Sequence, residues 1–255
     1  MDLGGLGTHT RAESMVHRTR NVVVPGGWAL RTLGAGIAVL ATASLLPAAT
    51  ITTNEAVLDS IFSQSSFGSS PIDVRFNAPA LISNPDLLTI DDAHDLISLF
   101  SSSPAASPAI NLIFVDSISW CGSENSSIVG CALIGGNDIV VESSYAAGPL
   151  GGELIGHEIA HNLGLDHVDG GVGGNLLNDT INGDTTLWNA STAPAGGSDQ
   201  ITQLLASPLL QTDNSGLFVE VTPVLVTATP EPTTAVALVS LVVIGLLSKH
   251  RRRRT

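Results

Sequence analysis

Apolar and polar positions change their spacing several times along the chain, and each change marks an element. Between 54 and 62, Ala56, Val57 and Ile61 recur at the spacing of one helix face, with Asn54 placed to cap it. Residues 72–76 alternate apolar and polar, the period of a half-buried strand. A second helix is predicted over 93–100, with Thr89 or Asp91 as its cap, and the Ser/Pro/Ala stretch 101–108 reads as a loop. Residues 109–115 are almost unbroken apolar, as in a strand covered on both faces. A short strand follows at 138–142. Pro149 then opens a helix in its first turn, where the missing N–H costs nothing. Ser198 is placed to cap a last helix through Leu205, whose Ile201, Leu204 and Leu205 share a docking face. From 213 the helical pattern is lost, and the Thr/Val/Pro-rich residues 213–229 read as a linker with some β character. Strands interleaved with helices predict an α/β (α+β) fold.

Both ends depart from this pattern. Arg18, Arg20 and Arg31 precede an apolar run over 33–46 and the small residues Pro47, Ala48 and Ala49, so residues 1–49 read as a secretory signal. Asp2 and Glu13 are unusual ahead of such a signal and point to Met15 as an alternative start. The apolar run is too short for an anchor, which needs about 18 residues. At the other end, residues 235–247 form a second apolar run before Lys249 and the arginines at 251–254. As a helix that run spans only ~20 Å, short of a bilayer core.

Length and charge narrow the picture. A chain of 255 residues holds one sizeable domain, here 50–212, plus processed ends. The mean hydropathy of +0.33 owes much to the two terminal runs. The net charge of -13 understates how acidic the middle is, because nine of the ten basic residues lie in the termini and only Arg75 remains between them. Nucleic acid and anionic membrane surfaces are thereby excluded as partners of that domain. The acidity suits an exported protein that must stay soluble; calcium has no EF-hand or glycine-rich repeat to support it. Cys121 and Cys131, in an exported chain, read as a disulfide closing a short loop, worth roughly 2–3 kcal/mol in the chain-entropy picture.

The densest chemistry lies in Gly-His-Glu-Ile-Ala-His-Asn-Leu-Gly-Leu-Asp-His, residues 156–167. On a helix His157 and His161 are one turn apart, so both rings leave the same face and reach one ion. Gly164 tolerates the left-handed conformation that ends a helix and turns the chain back. His167 then arrives from outside the helix as a third ligand, leaving one position for water on a zinc ion. Glu158 is rotated off the ligand face and suits a general base. Chance assembly of five specified positions is on the order of 10^-7 per starting point.

This pattern resembles the metzincin zinc peptidases, whose signature is H-E-x-x-H-x-x-G-x-x-H. The resemblance implies a Zn2+ ion on His157, His161 and His167, with Glu158 as base and Gly164 as the helix-ending turn. It also implies two subdomains, with a twisted, mostly parallel sheet whose antiparallel edge strand, matched here by residues 136–143, lies above the zinc-bearing helix and pairs with an extended peptide or protein substrate. Leu177 stands where the family has a methionine flooring the metal, a swap that costs below about 1.5 kcal/mol.

The C-terminal segment 230–255, with Pro230, Glu231 and Pro232 ahead of the short apolar helix and basic tail, resembles the PEP-CTERM sorting signal of Gram-negative bacteria. That implies export to the surface, medium or matrix, with transient membrane association and cutting by signal peptidase and an exosortase. The activity implied is endopeptidase; an inert zinc-braced surface or matrix protein and a hydrolase of another amide, such as a peptidoglycan cross-link, are the other readings of the same residues.

Overall fold

The computed structural model describes residues 50–168 and 174–228. Residues 1–49, read above as a secretory signal, residues 169–173 of the glycine-rich stretch, and Pro230, Glu231, Pro232 and the residues behind them lie outside the described residues. The strands are β1 (Ile72–Phe76), β2 (Ala80–Ser83), β3 (Thr89–Ile90), β4 (Ile110–Val115), β5 (Ser117–Ile118), β6 (Gly130–Ala132), β7 (Asp138–Glu142), β8 (Gln211–Asp213) and β9 (Gly216–Thr227). The helices are α1 (Glu55–Phe62), α2 (Ala93–Ser101), α3 (Ser143–Ala146), α4 (Gly151–Asn162) and α5 (Gln200–Leu205). The architecture is mixed α/β. A seven-stranded, mostly parallel sheet runs in the order β1-β9-β4-β7-β6, with β2 and β8 also on β9, while β3 and β5 form a separate parallel pair. No described helix is long and apolar enough to cross a membrane.

The unbroken apolar run becomes β4, buried at every position. Its residues divide between the two faces as a strand's period requires. Ile110, Leu112 and Phe114 join the core that holds α1 and α4, whereas Ile113 and Val115 join the core under α2. Burying side chains of this size stabilises the fold by about 1.5–3 kcal/mol each.

The assignment of 213–229 to a linker is overturned, and with it the domain boundary at 212. Residues of that stretch form β9, the longest strand, which pairs in parallel with β1, β2 and β4 and antiparallel with β8. β1 and β2 share one edge of β9, because β4 and β8 occupy the partners opposite them. Pro223 obscured this. Asn77 N–H donates to Val221 O on the β1 edge, so two residues on the nitrogen of Pro223 also faces that edge. There β1 has ended at Val221 and β2 begins only at Val224, so no ladder bond is lost.

The edge strand is a second correction. Residues 138–142 form β7, an interior strand parallel to β4 on one side and antiparallel to β6 on the other. The antiparallel edge is β6, a three-residue strand inside the stretch read as a disulfide loop. Cys131 lies in its middle and is bonded to Cys121. Helix caps shift by a residue: Asp92, not Thr89 or Asp91, accepts from Asp95 N–H on α2, and Asp199, not Ser198, accepts from Thr202 N–H on α5. Asn54 precedes α1 without capping it; its amide donates instead to Ala146 O at 2.9 Å.

A chain ended after Asp213 therefore lacks the strand on which β1, β2 and β4 are assembled. It is expected to lose cooperative thermal unfolding by circular dichroism, whereas a chain ended after Ala228 retains it.

Candidate metal centre

Helix α4 is buried along its whole length, which is why its sequence carries glycines. A Cβ on Gly152 would lie 2.5 Å from a Val57 methyl, and one on Gly156 would lie 2.9 Å from Ile61 Cδ1. α1 can approach only because those positions are bare. α4 ends on its ligand face. Leu163 N–H bonds Ile159 O, and Gly164, at φ +107°, bonds His161 O while Leu165 N–H returns to Ala160 O. That left-handed step is the turn anticipated at Gly164, and it delivers His167 beside the helix.

The three rings converge. Nε2 of His157 lies 2.9 Å from Nε2 of His161, and both lie 3.2 Å from Nε2 of His167. The opposite nitrogens set the tautomers. His157 Nδ1 is 2.7 Å from Leu176 O and His161 Nδ1 is 2.8 Å from Leu165 O; a carbonyl only accepts, so Nδ1 carries the hydrogen and Nε2 the lone pair. Burial and the neighbouring rings lower His157 to about 3, and burial lowers His161, so both are neutral at physiological pH.

Such a group fits a metal ion. Neutral nitrogens this close, with no hydrogen between the two on α4, repel unless a cation lies among them. A triangle with these edges has its centre about 1.8 Å from each nitrogen, so a point about 1 Å off its plane is ~2.05 Å from all three, within the metal–imidazole range.

The open side of that point faces a cleft of about 680 Å³. Gly130 and Cys131 of β6, Tyr145, Glu158, Asp166 and Asp179 are among its lining residues. Glu158 is 5% exposed and has no hydrogen-bond partner among the described residues; burial pushes its carboxyl up to about 8. Its carboxylate lies against β6, where a Cβ on Gly130 would come within 2.5 Å of Oε1. The glycine of the edge strand is what leaves room for it.

Leu177 is fully buried in the core shared by α1 and α4. Its turn is tied to the site by its backbone: Leu176 O holds His157, and Leu177 O accepts from Val168 N–H next to His167. A buried amide pair braces this turn, with Asn175 Nδ2 donating to Gln200 Oε1 at 2.9 Å and Gln200 Nε2 returning to Asn175 Oδ1 at 3.1 Å. Reading the sequence did not single out Asn175 or Gln200. It also passed over Glu153, one turn before His157 and 4% exposed, although a second acid besides Glu158 in an apolar and glycine-rich helix was a usable signal. His94 is exposed on α2.

No family model matches the chain, and no curated protein matches it.

Two buried groups with opposite shifts make the stability of the metal-free protein depend on pH. His157 sits below its ordinary 6.5, so the stability linked to it is present above about 6.5 and lost as pH falls toward 3. Glu158 sits above its ordinary 4.5, so its share is present below about 4.5 and lost as pH rises through about 8. Thermal melts in chelator should therefore show stability falling between pH 6.5 and 8 in the parent, a decline that Glu158→Gln abolishes without removing the acid limb.

Proposed function

We propose that this chain is an exported zinc-dependent endopeptidase of metzincin type, with its two-subdomain fold. The observation that carries the reading is the convergence of His157, His161 and His167 through Nε2, beside the Glu158 carboxylate, on the floor of an open cleft. Neutral imidazoles suit zinc among the first-row ions. When bound there, zinc supplies Lewis acidity to a water and to a peptide carbonyl.

The remaining steps belong to the protein. Glu158 accepts a proton from a water in the cleft as the water oxygen bonds to the scissile carbonyl carbon. It then returns that proton to the amide nitrogen as the C–N bond breaks, so water is divided between a new carboxylate and a new amine. A buried carboxylate with no competing hydrogen bond is free to make both transfers. An inert zinc brace has no use for it, which favours the enzyme over the structural reading despite leucine at 177.

The edge strand supplies a way to hold the substrate. Glu142 N–H donates to Val129 O, so the pairs 129/142 and 131/140 carry the β6–β7 ladder, and Gly130 and Ala132 turn their N–H and C=O groups to the free edge. An extended peptide in the cleft can pair with those groups. The disulfide holding β6 suits an oxidising compartment and supports export.

Glu158→Gln is expected to keep one zinc per chain, measured by metal analysis after dialysis, while lowering kcat on casein or gelatin by about 10^2–10^4-fold. Unchanged turnover would remove the mechanism. Ala132→Pro deletes one outward N–H without touching the ladder, so KM for peptides long enough to span the cleft should rise about five- to tenfold with little change in kcat. Equal KM values for the two proteins would remove the pairing.

A further inference from the structure

The cleft carries carboxylates and, among its described lining residues, no cation. Glu158 is aimed into it nearly fully buried, and Asp166 and Asp179 are exposed on its rim. Asp166 Oδ1 accepts His167 N–H at 2.8 Å, which fixes one rim carboxylate beside the third ring. Asp179 is fixed indirectly. Residues 179–181 line the cleft, and the chain just beyond them is gripped by Glu153 of α4. Glu153 Oε1 accepts the N–H groups of Asn182 and Asp184, both at 3.0 Å, and Oε2 accepts that of Gly183 at 2.5 Å. On the other side of Asp179, Asn178 Nδ2 donates to Asp184 Oδ2 at 2.6 Å. Three backbone donors on one buried carboxylate hold this wall on the helix that carries His157 and His161.

The rest of the domain adds to the same field. All but four of the 23 acidic residues, Asp2, Glu13, Asp169 and Glu231, lie among the described residues, where Arg75 is the one lysine or arginine. Arg75 is committed, with Nε 2.6 Å from Asp73, Nη1 2.6 Å from Asp213, and its guanidinium 3.9 Å over the Phe218 ring. A divalent ion on the imidazoles offsets only part of the cleft's charge. Carboxylates on a preorganised rim with low-dielectric walls focus the field and favour a cationic ligand.

We infer that the cleft selects polypeptide segments bearing lysine or arginine, with Asp179 and Asp166 reading that charge. This rests on the peptidase reading for its substrate and names the class that reading leaves open. Acidic segments are repelled, and so is this protein's own acidic domain, which limits self-cleavage.

The test compares two peptides of one sequence, differing only in lysine against glutamate at three positions, on the zinc-loaded full chain. The lysine peptide is expected to show a kcat/KM about tenfold higher at ~20 mM salt, shrinking to about twofold at ~0.5 M as the field is screened. Asp179→Asn should reduce the low-salt ratio several-fold and Asp179→Lys should invert it, whereas Asp59→Asn, an exposed acid on α1, leaves it unchanged. A ratio near one, or a ratio insensitive to residue 179 but lowered by Asp59→Asn, overturns the inference while cleavage itself keeps the peptidase reading. Binding of the same fluorescent peptides to the zinc-loaded Glu158→Gln protein, read by anisotropy, tests selection without turnover. Tighter lysine-peptide binding that Asp179→Asn weakens supports the inference even if neither peptide is cut, an outcome that removes only the peptidase reading. Equal binding overturns it.

Discussion

Three imidazole nitrogens brought within 3.2 Å of one another are the constraint around which this protein is built. Lone pairs at that distance repel, so the surroundings must hold them together in advance of any ion. Two backbone carbonyls do so from behind by accepting the Nδ1 hydrogens, and they come from different places. Leu165 O belongs to the turn that ends α4, whereas Leu176 O belongs to the turn braced by the paired amides of Asn175 and Gln200. The site therefore depends on α4, the turn after it and α5 being docked together.

The same helix organises the cleft. Its glycines admit α1, its carboxylate at Glu153 holds one wall, and Glu158 meets β6 where Gly130 has no side chain. Wall, floor and edge strand are thus referenced to one rigid element, which keeps the Glu158 carboxylate, the three imidazoles and the free edge of β6 in register. Burial makes Glu158 costly to ionise in the metal-free protein, and a nearby cation would reverse that preference. In the proposed mechanism the same carboxylate is the base, which would couple stability to chemistry.

Several elements were legible from periodicity because they are local. β1, β4 and β7 fall within a residue or so of the stretches read from alternation or unbroken apolar runs, and α1, α2, α4 and α5 follow from helical spacing. β9 was not legible. Its proline and threonines look like a linker unless one knows that Pro223 faces the gap between two partners on the same edge. β6 was missed because three residues, one of them glycine and one cysteine, show no period at all. The edge strand was consequently placed one strand too far along, at β7.

The three converging histidines could be named from sequence alone because their geometry is set by local chain physics: two residues one helical turn apart, then a glycine able to take a left-handed step. Whatever depends on meeting a distant part of the chain was decided by tertiary structure. The carbonyl that orients His157, the glycine that makes room for Glu158, the N–H groups that fix Glu153 and the central place of β9 all join residues far apart in sequence. No spacing rule reports such contacts, because packing rather than backbone periodicity selects them.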